Sequence, residues 1–95
     1  MSVICCSTSS NLFHAMRRQM RRDYRKPLIH FVNKKLLKHR DACSSLEDLN
    51  NDHFDTIVDD ASVNPQDVTK VVLLYGQAYY AALERRNELG RKVEV

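Results

Sequence analysis

Two glycines and two prolines in 95 residues leave little material for tight turns, and that scarcity constrains the fold more than any other feature of the chain. Apolar residues recur at spacings of three to four, with no clear alternation of period two. The expectation is an all-α fold, a small bundle of three to five helices. Ninety-five residues suffice for one domain with one modest core, and no second domain is expected within them.

Met1 to Ser10 is short and polar after Val3 and Ile4 and reads as a flexible tail, leaving 11–95 as a single helical domain. Ser10 or Asn11 can cap a first helix, because a short side-chain oxygen accepts from the orphan amides of the opening turn. Leu12, Phe13, Met16, Met20 and Tyr24 then form one stripe, with Arg17, Arg18, Arg21, Arg22 and Arg25 on its flank and back. Pro27 stops or kinks this helix and also suits the first position of a second one carrying Leu28, Ile29, Phe31, Val32, Leu36 and Leu37. The pattern leaves open whether 11–42 is one kinked helix or two packed ones.

Ser44 and Glu47 have the spacing of a capping box opening a short acidic helix. Asn64 and Pro65 then mark the start of the longest element, a C-terminal helix running to Gly90 with Val68, Val71, Val72, Tyr75, Tyr79, Ala82 and Leu83 as its apolar stripe. At roughly 25 residues it would be ~37 Å long, more than a globule of this size spans. A homodimer is therefore expected, with Val72, Tyr75, Tyr79, Ala82 and Leu83 at its interface and Tyr80 exposed.

Charge is divided along the chain. Arg17 to Arg40 holds ten Lys and Arg against the single acid Asp23, whereas Asp41 to Asp67 holds eight acids and no Lys or Arg. The formal net charge of +3 conceals this asymmetry. Guanidinium groups clustered on a helix suit phosphate, so Arg17, Arg18, Arg21, Arg22, Arg25, Lys34, Lys35 and Lys38 are the candidate nucleic-acid-binding residues, with slight sequence readout. A helix-turn-helix over Phe54 to Leu74 is disfavoured, since Asp52, Asp55, Asp59, Asp60 and Asp67 would repel DNA. The competing class is a protein-interaction module whose acidic 41–67 block docks a partner.

Three cysteines, two of them adjacent, do not form a disulfide framework, and no Cys or His pair has the spacing of a zinc knuckle. The thiols read as two in the tail, Cys5 and Cys6, and one partly buried, Cys43. No cofactor, no metal and no catalytic set is implied, so the chain reads as a non-enzyme. No apolar run reaches the ~18 residues of a membrane span, and no basic leader precedes an apolar core, which points to the cytoplasm or nucleus. The resulting expectation is a small helical regulator that binds nucleic acid, in the style of a viral or phage accessory protein.

Overall fold

The computed structural model describes residues 1–51 and 53–90. Strand β1 (Ser2–Ile4) leads through Cys5 to Thr8 into helix α1 (Ser9–Arg21), and the chain returns as strand β2 (Leu28–His30). β1 and β2 are parallel, in the register Ser2 to Leu28, Val3 to Ile29 and Ile4 to His30. Beyond β2 come two 3-10 turns (Leu36–Lys38 and Arg40–Ala42), a short helix α2 (Leu46–Asn50), a third 3-10 turn (Pro65–Asp67) and helix α3 (Gln77–Leu89).

The chain is therefore mixed α/β, and the all-α expectation is overturned. Scarcity of Gly and Pro excludes hairpins, but parallel strands need none, because a helix makes the crossover between them. Such strands read as short continuous apolar runs without period-two alternation, as Val3-Ile4 and Leu28-Ile29 do. Residues 1–10 are likewise no tail: they contain β1 and the opening of α1. Ser2 N donates to Pro27 O at 2.9 Å and Phe31 N to Ile4 O at 2.9 Å, closing the ladder at both ends.

Thr8, not Ser10 or Asn11, caps α1, accepting from Asn11 N at 3.3 Å. The helix ends at Arg21, well before Pro27, and the element after the proline is a strand, so neither one kinked helix nor two packed ones occupies 11–42. The capping box lies one residue later than expected. Ser45 Oγ accepts from Asp48 N at 3.1 Å while Asp48 Oδ2 accepts from Ser45 N at 3.0 Å.

The long C-terminal helix does not form as one element. Asn64 and Pro65 do start a helical turn, in which Asn64 Oδ1 accepts from Gln66 N at 3.3 Å, but the turn stops at Asp67. Val68 to Tyr75 is non-helical, with Val71 making a single β-bridge, and α3 begins only after Gly76. β-branched Val71 and Val72 favour extended backbone, and Gly76 takes φ 58° and ψ −137°, a region open only to glycine. A Cβ there would stand 3.2 Å from Cys5 Sγ. Gly90 terminates α3 in the left-handed conformation as its position predicts.

The core is small. Leu36, Ala42 and Tyr80 form its centre, with Tyr79 packed against them, and among the described residues Cys6 and Ala15 are the other buried apolar ones. Tyr80, expected at the surface, is 6% exposed. Its hydroxyl donates to Ser7 O at 2.5 Å and its ring stacks on His39 with centroids 4.9 Å apart. Gly76 N donates to Ser7 Oγ at 2.9 Å, so Ser7 ties the segment after β1 to the start of α3. Large apolar side chains elsewhere face solvent, among them Leu46 and Leu73 at 84% and Ile57 at 77%.

Candidate functional site

α1 carries most of the side-chain bonding that holds distant parts of the chain together. At 100° per residue, Asn11, His14, Ala15 and Arg18 share one arc, and this arc is the one turned inward. Asn11 is 7% and His14 2% exposed. Asn11 Nδ2 donates to Asp55 O at 3.0 Å and Asn11 Oδ1 accepts from Asp55 N at 3.0 Å. His14 Nε2 donates to Asp48 O at 2.8 Å, and Arg17 Nη2 to Asn51 O at 3.0 Å. Arg18 lies over the Phe54 ring, 4.4 Å from its centroid. The inner side of α1 is thus a polar seam strapping the 48–55 segment, and the expected apolar stripe of Phe13, Met16 and Met20 is turned outward.

The eight expected nucleic-acid-binding residues do not form one surface. Arg17, Arg18, Arg21 and Arg22 line an open hollow with His14, His53 and Phe54. Lys34 and Lys35 line a different groove with Cys5, Phe31, Leu73, Leu74 and Tyr75, and Lys38 ends a 3-10 turn. Arg22 reaches Ser2 Oγ at 3.5 Å and lies over Tyr24, and Arg25 Nη1 donates back to Arg22 O at 2.9 Å. Several of these guanidiniums are spent on the chain's own carbonyls and rings.

The expected dimer interface is dispersed in the same way. Val72 and Tyr75 precede α3, Tyr75 being 70% exposed, whereas Tyr79, Ala82 and Leu83 lie on it. Tyr79 packs on Tyr80 edge to face at 4.9 Å. The single long stripe that motivated the dimer does not exist. Thiol placement is also inverted: Cys6 is buried, Cys5 half-buried and Cys43 exposed. Burial, then the neighbouring Cys5, pushes the Cys6 thiol above its usual range, with Arg18 opposing. Among the described residues no group of three His, Cys, Asp or Glu side chains is arranged to hold a metal ion.

The acidic block is used internally. Asp48 serves the capping box, Asp55 meets His53 at 3.1 Å, and Asp60 pairs with Arg86 of α3. Asp60 and Arg86 side chains are only 7% and 11% exposed. Burial raises the Asp60 carboxyl, but donation from Ser62 Oγ at 2.5 Å and Ser62 N at 3.0 Å, with the Arg86 guanidinium, outweighs it and holds the group below its usual 3.8. A lowered folded value stabilises the fold above the unfolded value and loses that contribution as pH falls through the folded one. Arg86→Met is expected to cost about 2 kcal/mol at pH 7. It should also flatten the acid limb below about pH 4. Urea unfolding of both proteins at pH 7 and in acid checks this.

The chain is thus a mixed α/β unit, a parallel β-α-β joined by an extended run to a glycine-started helix, with many large apolar side chains left uncovered. The chain belongs to the 2-oxoglutarate dehydrogenase C-terminal family, which matches residues 43–95. It is 42% identical over 93 residues to the 2-oxoadipate dehydrogenase complex component E1 of Xenopus laevis, covering 97% of this chain and 10% of that protein. Against the mitochondrial 2-oxoglutarate dehydrogenase of Saccharomyces cerevisiae, identity is 43% over 95 residues, covering 95% of this chain and 9% of that protein. Against the 2-oxoglutarate dehydrogenase E1 component of Haemophilus influenzae it is 40% over 93 residues, covering 97% and 10%. The chain spans about a tenth of the length of these curated relatives.

These relatives overturn the nucleic-acid-binding regulator, the nucleic-acid partner and the viral or phage style. The reading as a non-enzyme is corrected by the same finding, since the relatives are dehydrogenase components. The arginines do cluster, but clustering alone does not imply phosphate. A guanidinium that caps a neighbouring segment's carbonyl looks, in sequence, the same as one awaiting phosphate.

Proposed function

We propose that this chain acts as part of the E1 component of a 2-oxo acid dehydrogenase complex, one whose substrate is 2-oxoglutarate or 2-oxoadipate. The carrying observation is identity of about two-fifths over nearly the whole chain to E1 components named for those two acids. The uncovered apolar surface supports the reading, because side chains such as Leu73 and Leu46 at 84% exposure call for further structure packed over them. The role is architectural. The β-α-β unit, strapped to 48–55 by α1 and locked to α3 through Ser7, supplies one section of the enzyme's fold and a shaped surface for the rest of it.

The test is a chimera in which this chain replaces the matching segment of the yeast 2-oxoglutarate dehydrogenase. Turnover of 2-oxoglutarate or 2-oxoadipate by the chimera, with none from a version lacking the segment, is the expected result. A chimera that sediments like the parent yet turns over neither acid overturns the proposal.

A further inference from the structure

Four guanidiniums gather on one side of α1 with no carboxylate set against them. His14, Arg17, Arg18 and Arg21 fall within an arc of about 100° of the helix, and Arg22 follows at its C-cap. With Phe54 and His53 opposite, they line a hollow of about 350 Å³. Among the described residues no ion pair joins a carboxylate to any of the four arginines. Asp55, next to Phe54 in sequence, turns its carboxylate to His53 at 3.1 Å. The contacts the arginines do make leave donors to spare: Arg17 gives Nη2 to Asn51 O, Arg18 lies 4.4 Å from the Phe54 centroid, Arg22 Nη1 reaches Ser2 Oγ at 3.5 Å, and Arg21 is exposed. A guanidinium carries five N–H groups, and a carbonyl or an aromatic face engages few of them and cancels none of the charge. Arg17 with Arg21, and Arg18 with Arg22, are like charges four residues apart, an arrangement that repels itself. The floor is His14, 2% exposed, whose Nε2 donates to Asp48 O and whose Nδ1 is buried without a partner.

We propose that this hollow binds a small oxyanion carrying two or more negative charges, a phosphate ester or a polycarboxylate. Guanidinium forks suit either group, because each presents paired N–H donors to paired oxygens. An anion seated among the four arginines relieves their mutual repulsion and takes the donors that the Asn51 carbonyl and the Phe54 ring leave free. Ring stacking holds the Arg18 guanidinium in place, so less side-chain freedom is lost when the anion arrives. Size selects a small molecule, since the volume lies at the lower end of the range for ligand pockets. A nucleic-acid backbone would need cations spread along a track, whereas Lys34 and Lys35 line a different groove. The site rests on α1 and Phe54 and is independent of the dehydrogenase reading.

Arginine side-chain Nε–H signals of the 95-residue chain read the site directly, with Arg40 and Arg85, exposed and outside the hollow, as internal controls. The chain is titrated with inorganic pyrophosphate and, separately, with tricarballylate, with chloride holding the ionic strength constant. The expected result is saturable movement of the Arg17, Arg18 and Arg21 signals with at least one of the two ions, while Arg40 and Arg85 stay still. A response to pyrophosphate alone supports a phosphate ester as the ligand, and a response to tricarballylate alone supports a polycarboxylate. Arg21 is exposed, so Arg21→Gln spares the core, and it should weaken binding about tenfold. Arg40→Gln removes the same charge elsewhere and should change binding less than about twofold. Silence with both ions, movement shared equally by Arg40 and Arg85, or an Arg21→Gln protein that binds as tightly as Arg40→Gln each overturns the proposal.

Discussion

Tyr80→Ala is expected to cost about 3 to 5 kcal/mol, enough to remove most of the stability of a chain with so small a core. The residue is 6% exposed and sits with Leu36 and Ala42 at the centre of the packing, with Tyr79 against it. Truncation would open a cavity beneath the His39 ring and remove the hydroxyl that reaches Ser7. Ser7 also accepts from Gly76 N, so the loss would loosen the start of α3 as well as the packing. Tyr80→Phe isolates the hydrogen bond and should cost about 1 kcal/mol. Burial first, then Tyr79, Asp41 and Cys43, pushes the Tyr80 hydroxyl up to about 12 from its usual 10. A raised folded value means that its contribution is complete below pH 10 and is lost as pH climbs toward 12, so the parent should weaken across that window and Tyr80→Phe should not. Urea unfolding across that range gives both numbers, and a Tyr80→Ala protein within about 1 kcal/mol of the parent would show that the core lies elsewhere.

Local signals in this sequence are reliable where the physics is local. Helix starts near residues 9 and 45 and the turn opened by Asn64 and Pro65 arise from side chains satisfying backbone groups a few residues away, and the stop at Gly90 from a left-handed backbone whose amide bonds Asn87 O. The path of the chain between those marks depends on partners far off in sequence. Val3-Ile4 is too short an apolar run to declare a strand, and it becomes one because Leu28–His30 lies beside it. Val68 to Tyr75 has helical spacing and β-branched content at once, and tertiary context resolves the conflict toward extended chain. The candidate site is legible in composition but not in direction. Hydrophobic spacing places Phe13, Met16 and Met20 inward, yet α1 buries its polar side, because Asn11 and His14 meet the backbone of Asp55 and Asp48 across separations of 44 and 34 residues. No periodicity argument sees a bond of that range. The useful signal is the pairing of a stripe-opposed Asn and His at i and i+3, a spacing that lets two polar side chains grip one neighbouring segment.

That grip yields the second large effect. Asn11 exchanges two hydrogen bonds with a single residue, donating to the Asp55 carbonyl and accepting from the Asp55 amide, each at 3.0 Å, much as one strand residue pairs with another. Asn11→Ala leaves both backbone groups of Asp55 without their partner in a half-buried site, and is expected to cost about 2 to 4 kcal/mol. The loss should be local first. His14 and Arg17 still hold Asp48 and Asn51, so amide exchange should rise most at Asp55 while β1 and β2 keep their protection. Asn11→Asp separates the two bonds. Its carboxylate can still accept from Asp55 N but faces Asp55 O without a proton to give, so at pH 7 the strap should open nearly as far as in the Ala variant. Protonation restores a donor, and since the folded strap favours the protonated acid, protection at Asp55 should recover as pH falls toward about 4. Hydrogen exchange at that one amide reads all three proteins, and if Asn11→Ala leaves it as protected as the parent, the seam along α1 does not hold the 48–55 segment.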